Sequence, residues 1–139
     1  SHAAMMQTLI IGKATAAQRR MHSVARDALE ACEAAIKPGR PMGEVFAAHA
    51  QVFDKAGLGH ARLNACGYAM GAIYNPIWVD FPMFYEGNPT VMRESQVFFL
   101  HMILMDSDAG LAMCLGHSVE VTAHGAKRLS RHAPDLFEL

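Results

Sequence analysis

The sequence predicts an α/β domain in which two amphipathic helices pack on a sheet. The first observation is a nearly unbroken apolar run from Val97 to Met105, which is too short to span a membrane and is typical of a buried strand. The second is the stretch from Thr15 to Ile36, where apolar residues recur at steps of three and four. The third is a similar stretch from about Met42 to Ala56. The apolar faces of both helices need a sheet to cover them.

The first elements of the chain are a strand and a capped helix. Met5 to Ile11 predicts a strand that ends at Gly12. Thr15 and Gln18 form a capping-box pattern, in which both side chains satisfy backbone N–H groups at a helix start. Lys37-Pro38-Gly39 ends this helix. The charged residues, Glu33 among them, are expected to face solvent, and the buried face comprises Ala17, Met21, Val24, Ala25, Ala28, Cys32, Ala35 and Ile36.

The second helix is followed by an irregular segment. The helix should bury Val45, Phe46, Val52 and Phe53 and end at Gly57. From Leu63 to Asn88, glycines and prolines interrupt any helical or strand periodicity, and many of the residues between them are aromatic. This pattern predicts a long loop. Such a loop either carries function or covers the sheet with its rings.

A hairpin is expected near the end of the chain. Residues 106–110 supply turn residues, so Leu111 to Val121 can return beside the core strand. Further strand structure is expected at Val119 to Thr122 and, after a turn, at residues 127–130. Within the core strand, His101 has only apolar sequence neighbours and must find a hydrogen-bond partner, because an unpaired buried polar group costs about 1–3 kcal/mol.

Composition narrows the class of protein. The 139 residues are 52% hydrophobic and 18% charged, which indicates one globular domain. Twelve basic and thirteen acidic side chains nearly cancel, so neither nucleic acid nor a membrane surface is an expected partner. Three cysteines without C-x-x-C spacing predict a reduced, cytoplasmic protein. A strand-like segment begins within a few residues of Ser1, so we expect a fragment of a longer protein.

Several short motifs occur in a characteristic order. They are Thr8 to Gly12, Lys37-Pro38-Gly39, Gly67-Tyr68-Ala69-Met70-Gly71, Val97 to Met102, Val121-Thr122 and Gly125 to Ser130. This order resembles the C-terminal catalytic domain of the pita-bread family, which includes creatinase, the Xaa-Pro dipeptidases and methionine aminopeptidase. The resemblance implies a curved, mostly antiparallel sheet backed by two helices. It also implies that residues 1–139 are a single domain, the C-terminal part of a pita-bread catalytic domain that is incomplete at its N-terminus.

The peptidases of this family bind two divalent metals through two Asp, one His and two Glu, a donor set suited to activating water. The resemblance puts the second Asp at Ala4, the His at Tyr68, the first Glu at His101 and the second Glu at about Gly116. The first Asp would lie upstream of Ser1. None of the visible positions keeps its ligand, so neither a metal nor another cofactor is expected.

Some members of the family do without metal. Three motifs look most like this metal-free creatinase and ectoine hydrolase branch: Gly67 to Gly71, the Trp78 loop with Phe81 to Phe84, and Phe99 to Asp106. The resemblance implies metal-independent hydrolysis of a non-peptide C–N bond in a small amidine or guanidine-like substrate. His101 is the expected catalytic proton shuttle. Tyr68, Trp78, His117 and Asn75 are the expected substrate-binding residues, because aromatic faces attract an amidinium and Asn75 takes the position of the family's substrate-side His. The base is expected upstream of Ser1, so the fragment alone should be inactive.

Two other functions remain open: a metal-dependent Xaa-Pro dipeptidase or aminopeptidase-like protein, and a non-catalytic pita-bread module that binds a ligand or partner. Relatives often dimerise, so a homodimer is expected for the full-length protein.

The remaining histidines and cysteines give weaker signals. His101, Cys114 and His117 are residue types that bind zinc. Cys114 and His117 should nevertheless face opposite sides of an extended strand, which argues against a zinc site there. The other histidines are expected at the surface, namely His22, His49, His60, His124 and His132.

Overall fold

The computed structural model describes residues 3–71 and 76–139, which form the predicted mixed α/β fold. In these residues neither helix is both long enough and apolar enough to cross a membrane. The elements in chain order are β1 (Met5–Met6), β2 (Leu9–Ile10), α1 (Ala16–Ala35), α2 (Met42–Lys55), β3 (Ala65–Ala69), β4 (Asp80–Tyr85), β5 (Val97–Asp106), β6 (Leu111–Thr122), β7 (Gly125–Arg128) and β8 (Phe137–Glu138).

The main sheet has the strand order β1-β6-β5-β3-β4, and β7 also pairs with β6. Every pairing within this sheet is antiparallel. The predicted hairpin is confirmed, since β5 and β6 pair without interruption from Val97 opposite Glu120 to Asp106 opposite Leu111. A separate pair of short parallel strands joins β2 to β8 near the end of the chain. The β5–β6 hairpin is therefore the centre of the sheet.

The helices begin and end where the sequence indicates. Thr15 Oγ1 accepts a hydrogen bond from the Gln18 amide at 3.2 Å, and Gln18 Oε1 accepts one from the Thr15 amide at 2.8 Å, which confirms the capping box. Ile36 caps the C-terminus of α1 in an extended conformation, just before Lys37-Pro38-Gly39. Gly57 follows α2 at a φ of +73°, a conformation that favours glycine.

The hydrophobic core lies between the two helices and one face of the sheet. Alternate residues of a strand point to opposite faces, and the core-facing set on β5 is Phe98, Leu100, Met102 and Leu104, all fully buried. The facing surface of α1 contributes Ala25, Ala28, Leu29 and Cys32. Phe99 and His101 alternate with the core residues and lie on the other face of the sheet. In the described chain this second face, which we call the open face, carries no helix.

The predicted long loop between Leu63 and Asn88 is wrong, because it contains the strands β3 and β4. Its glycines and prolines have local explanations. A Cβ at Gly67 would lie 2.4 Å from the Phe99 carbonyl oxygen, so the close approach of β3 to β5 requires glycine. Pro82 is tolerated because β4 is the last strand in the order. Irregular register between β3 and β4 hides any period of two.

Other expectations also need correction. The single strand predicted at Met5 to Ile11 is two short strands, because β1 pairs with β6 whereas β2 pairs with β8. His22 and His49, expected at the surface, are buried beneath other parts of the fold. The remaining three histidines of that group, His60, His124 and His132, are exposed as predicted.

Candidate functional site

The open face carries a row of aromatic rings on the neighbouring strands β3 and β5. Tyr68 on β3 is the partner of Phe99 on β5, and Phe99 is the partner of Ser118 on β6. The ring centroids of Tyr68 and Phe99 are 5.5 Å apart, and those of Phe99 and His101 are 4.9 Å apart. Strand pairing thus places Tyr68 and His101, both predicted as site residues, on either side of the Phe99 ring.

Trp78 joins this row from the segment that precedes β4. Its Nε1–H donates a hydrogen bond to the Tyr68 hydroxyl at 3.1 Å. Tyr68 is buried, whereas Trp78 is 57% exposed. The structure therefore brings together two of the predicted substrate-binding residues and leaves an indole available to a ligand. Asn75, also predicted to bind substrate, lies outside the described residues.

His101 finds sulfur atoms as its partners. Its Nε2 lies 3.0 Å from Cys114 Sγ and 3.1 Å from Met6 Sδ. Burial lowers the pKa of the imidazole, so His101 is neutral near pH 7. Burial also raises the pKa of the Cys114 thiol to about 11, and the thiol is therefore protonated at that pH.

His117 does not join the open-face residues. It is buried on the helix side of the sheet, where its Nε2 contacts the Glu33 carboxylate on α1. Arg128 donates to the same carboxylate through Nε to Oε1 at 2.8 Å and through Nη2 to Oε2 at 2.8 Å. Burial raises the pKa of Glu33, but hydrogen bonds from His117 and Arg128 lower it more, and the net pKa lies below its ordinary value. His117, predicted to bind substrate, therefore lies in a contact between the sheet and the helical layer, away from Tyr68 and Trp78.

The Glu33 contact was missed because charged residues of α1 were assigned to solvent. A signal was nevertheless present. Glu33 follows Leu29 by four residues and precedes Ile36 by three, and both of these are fully buried. Residues at such spacings lie on one side of a helix, so Glu33 stands at the margin of the buried face.

Two depressions lie beside β1 and β6. One has a volume of about 260 Å³ and is lined by Ala4, Met70, Val97, Ser118 and Leu129 among others. The other has a volume of about 400 Å³ and is lined by Met6, Thr8, His101, Ile103, Met105 and Cys114 among others. Ligand pockets of proteins have volumes of about 300–1,000 Å³, so the depression beside His101 is of a size for a small molecule, whereas the first lies below that range.

The described residues do not fit a dinuclear metal site. Between residues 3 and 71 and between 76 and 139, no three His, Cys, Asp or Glu side chains are grouped so as to hold a metal ion. The position expected for the second metal-binding Glu is closed as well. A Cβ at Gly116 would lie 2.5 Å from the Leu100 carbonyl oxygen and 2.8 Å from Phe99 Cζ.

Comparison with known proteins shows that this chain is similar to peptidases. The model of a family described as metallopeptidase family M24 matches residues 1–123. A Xaa-Pro dipeptidase from Pyrococcus furiosus is 22% identical over 131 residues, which are 94% of this chain and 36% of that protein. The chain thus spans 36% of the length of this curated relative.

Solved structures share the fold over nearly the whole chain. The X-Pro aminopeptidase from Thermotoga maritima superposes with a TM-score of 0.88 at 16% identity, covering 97% of this chain and 37% of that chain. A dipeptidase from Pyrococcus horikoshii gives 0.89 at 17% identity, covering 99% and 37%. The N-terminal domain of the FACT complex subunit SPT16 from Cicer arietinum gives 0.76 at 14% identity, covering 89% and 32%. These likenesses confirm the pita-bread fold.

The comparisons overturn the expected metal-independent hydrolase of creatinase or ectoine hydrolase type. The matching family is one of metallopeptidases, and the curated relative and several of the solved structures are Xaa-Pro peptidases. The prediction rested on missing ligands and on a few aromatic residues around Trp78. Single positions of this kind change readily within one fold, and they do not identify a branch.

Proposed function

The chain belongs to metallopeptidase family M24, and from that premise we propose that the full-length protein is a peptidase of Xaa-Pro type that acts on a dipeptide or a similarly small peptide. The observation that carries the proposal is the likeness to a Xaa-Pro dipeptidase over 94% of this chain. Residues 1–139 would then form the C-terminal part of its catalytic domain.

The substrate contacts would lie on the open face beside Tyr68 and Trp78. A proline ring is apolar and compact, and the exposed indole of Trp78 offers it a flat apolar surface. The Tyr68 hydroxyl already accepts a hydrogen bond from the indole at 3.1 Å, which holds the two rings in a fixed relation. Such a preorganised pair loses little conformational freedom when a ligand binds.

No proton transfer in peptide hydrolysis is assigned to His101. Its imidazole is neutral, as a proton shuttle requires, but its Nε2 is in contact with the two sulfur atoms of Cys114 and Met6. The metal donor set of the family is likewise not supplied by the described residues. The proposal therefore gives Tyr68 and Trp78 substrate contacts alone and derives no step through a metal ion.

Two further properties belong to the same proposal. A cytoplasmic location is supported by the three cysteines, all of which are free thiols. A homodimer is proposed on the resemblance to the family alone.

The experiment is to incubate the full-length protein with a dipeptide that ends in proline and to follow release of free proline. The same dipeptide ending in alanine is the substrate control, and each assay is run with added Mn²⁺ or Co²⁺ and with a chelator. We expect proline release and a KM that rises about tenfold or more in Trp78→Ala, as loss of a packed aromatic contact of about 1.4 kcal/mol would give. Phe81→Ala is the matched control, since Phe81 is an exposed ring on β4.

A second function is favoured by the absence of a grouped metal donor set in the described residues. It is a non-catalytic module that binds a peptide or a protein partner. The N-terminal domain of SPT16, a subunit of the FACT complex, has the same fold, so the likeness also extends to a component of a protein assembly. Saturable binding of the proline dipeptide in calorimetry, without release of proline under any metal condition, would favour this module over the peptidase.

A further inference from the structure

One imidazole nitrogen and two sulfur atoms converge at the edge of the open face. His101 Nε2 lies 3.0 Å from Cys114 Sγ and 3.1 Å from Met6 Sδ, and the two sulfur atoms are 2.6 Å apart. The residues come from β5, β6 and β1, so the sheet itself brings them together. The cluster holds only two His, Cys, Asp or Glu side chains, and its third donor is a thioether.

We propose that His101, Cys114 and Met6 form a binding site for a soft monovalent cation, with Cu⁺ as the chemical type. Thiolate and thioether sulfur are the ligands that select Cu⁺, and imidazole also binds copper, whereas carboxylates suit hard divalent ions. This site differs from the hard dinuclear centre of the family, and it does not depend on the peptidase proposal.

The charge balance of the site favours a monovalent ion. The thiol proton leaves to solvent when Cys114 binds, so the thiolate and Cu⁺ together are neutral, and no oxidation or reduction takes place. Zn²⁺ bound to the same three donors would leave a net positive charge. The described residues that line the depression include no carboxylate to balance that charge, and they are apolar or sulfur-bearing apart from His101 and Thr8. Burying an unbalanced charge against such a surface is costly.

The geometry needs only a small adjustment. Metal bonds of about 2.0–2.3 Å to three donors place the donors about 3.5–4 Å from one another. The three atoms would therefore move apart by about 1 Å or a little more to admit the ion. The unbranched side chain of Met6 makes this movement easy, because it has three rotatable bonds and is partly exposed.

The backbone around Cys114 is held in place for such a role. Thr8 Oγ1 donates a hydrogen bond to the Cys114 carbonyl oxygen at 2.7 Å and accepts one from the Cys114 amide at 3.2 Å. Because Thr8 lies two residues after Met6, these bonds also fix the chain that carries the thioether. A preset spacing of thiol and thioether is what a metal site requires.

The experiment is an anaerobic titration of the full-length protein with Cu⁺ against a coloured Cu⁺ chelator. We expect one equivalent of Cu⁺ that depends on the cluster. Cys114→Ser and Met6→Leu should each weaken binding by about tenfold or more, since even changes behind a metal ligand weaken binding by about 10–100-fold. X-ray absorption of the loaded protein should show sulfur neighbours.

Met105→Leu is the matched control for Met6→Leu. Met105 lines the same depression and is 58% exposed, but its sulfur is not among the converging donors. The Cu⁺ affinity of the Met105→Leu variant should equal that of the wild type. Circular dichroism confirms that each variant is folded, and Met6→Leu remains informative if Cys114→Ser unfolds, because it changes a partly exposed side chain. Equal Cu⁺ affinity in wild type and Met6→Leu, or tighter uptake of Zn²⁺ than of Cu⁺, would overturn the proposal.

Discussion

His117 on β6 contacts the carboxylate of Glu33 on α1 and thereby joins the sheet to the helical layer. The contact is buried on the histidine side, and Arg128 on β7 completes the charge balance with a two-point hydrogen bond to the same carboxylate. The helix α1 is thus joined, through one carboxylate, to two consecutive strands that lie far from it in sequence. Its loss should affect the stability of the whole domain.

Glu33→Gln should lower the free energy of unfolding at pH 7 by about 1.5–3 kcal/mol, because hydrogen bonds to a charged group contribute about that much. The partial exposure of Arg128 places the effect toward the lower end of this range. Urea unfolding measures it. Asp27→Asn is the control, since Asp27 is an exposed residue of the same helix, and it should change stability by less than about 0.5 kcal/mol. Equal losses in both variants would contradict this role of Glu33.

The same carboxylate predicts a pH dependence. The pKa of Glu33 in the folded protein lies below its ordinary value of 4.5, so the unfolded chain takes up a proton first as the pH falls. The stabilising contribution is fully present above pH 4.5 and is lost as the pH falls through the lower, folded pKa. The difference in unfolding free energy between wild type and Glu33→Gln should therefore shrink below pH 4.5. A difference that stays constant from pH 7 to pH 3 would contradict the pairing.

A second pH effect comes from His49, which is 1% exposed between the rings of Phe46 and Phe53. Burial, with the Arg62 charge adding to it, lowers the pKa of His49 from 6.5 to about 4. The unfolded chain binds this proton near pH 6.5, so the contribution of His49 is fully present above that pH and is lost as the pH falls to about 4.

His49→Leu should remove this loss. The decrease in unfolding free energy between pH 7 and pH 4.5 should become smaller by about 2 kcal/mol, because two pKa units correspond to about 2.7 kcal/mol. Urea unfolding at both pH values measures the change. His124→Asn is the control, since His124 is exposed in the turn before β7, and its decrease should match that of the wild type. The same decrease in His49→Leu as in the wild type would show that the buried imidazole is not responsible.

The elements predicted correctly are those whose signals are local. The capping box at Thr15, the period of α1 and the apolar run of β5 each lie within one stretch of sequence, and each reappears in the structure. The strands β3 and β4 were missed because they contain residues that usually interrupt strands. Gly67 is required by the close approach of β5, and Pro82 is tolerated because β4 lies at the edge of the sheet. The division between β1 and β2 depends on partners more than a hundred residues away, which no local pattern contains.

The contacts within the candidate site were likewise predictable only where they depend on local sequence or on the pairing of two neighbouring strands. Tyr68 and Trp78 belong to one aromatic segment, so their proximity follows from their nearness in sequence. His101 and Cys114 come together because the hairpin register sets them beside each other, as the sequence allowed. The contact of His117 with Glu33 could not be predicted from the strand alone, because it depends on how the helical layer is placed over the sheet.

The hydrogen bond from Trp78 to Tyr68 predicts a spectroscopic change. Tyr68→Phe removes the acceptor, so the indole N–H should become more hydrated and the emission of Trp78 should shift to the red. The assay is simple because residues 1–139 contain one tryptophan. The loss of stability should be about 1 kcal/mol, as for one neutral hydrogen bond. Tyr85→Phe is the control, since Tyr85 is an exposed tyrosine on β4, and unchanged emission in both variants would contradict the contact.

The close packing around Gly116 predicts that the metal-binding glutamate of the family cannot be restored at this position by a single substitution. A Cβ there would lie 2.5 Å from a backbone oxygen of Leu100, which cannot move without disturbing the β5–β6 pairing. Gly116→Glu should therefore lower the free energy of unfolding by about 1–3 kcal/mol or more, the range for forcing extra atoms into a packed core, and calorimetry should detect no gain in Mn²⁺ binding. Ala112→Glu is the matched control, because Ala112 is exposed on the same face of β6 and should accept a glutamate within about 0.5 kcal/mol. A Gly116→Glu variant as stable as Ala112→Glu, with newly gained Mn²⁺ binding, would show that the open face can still accommodate the hard ligands of the family.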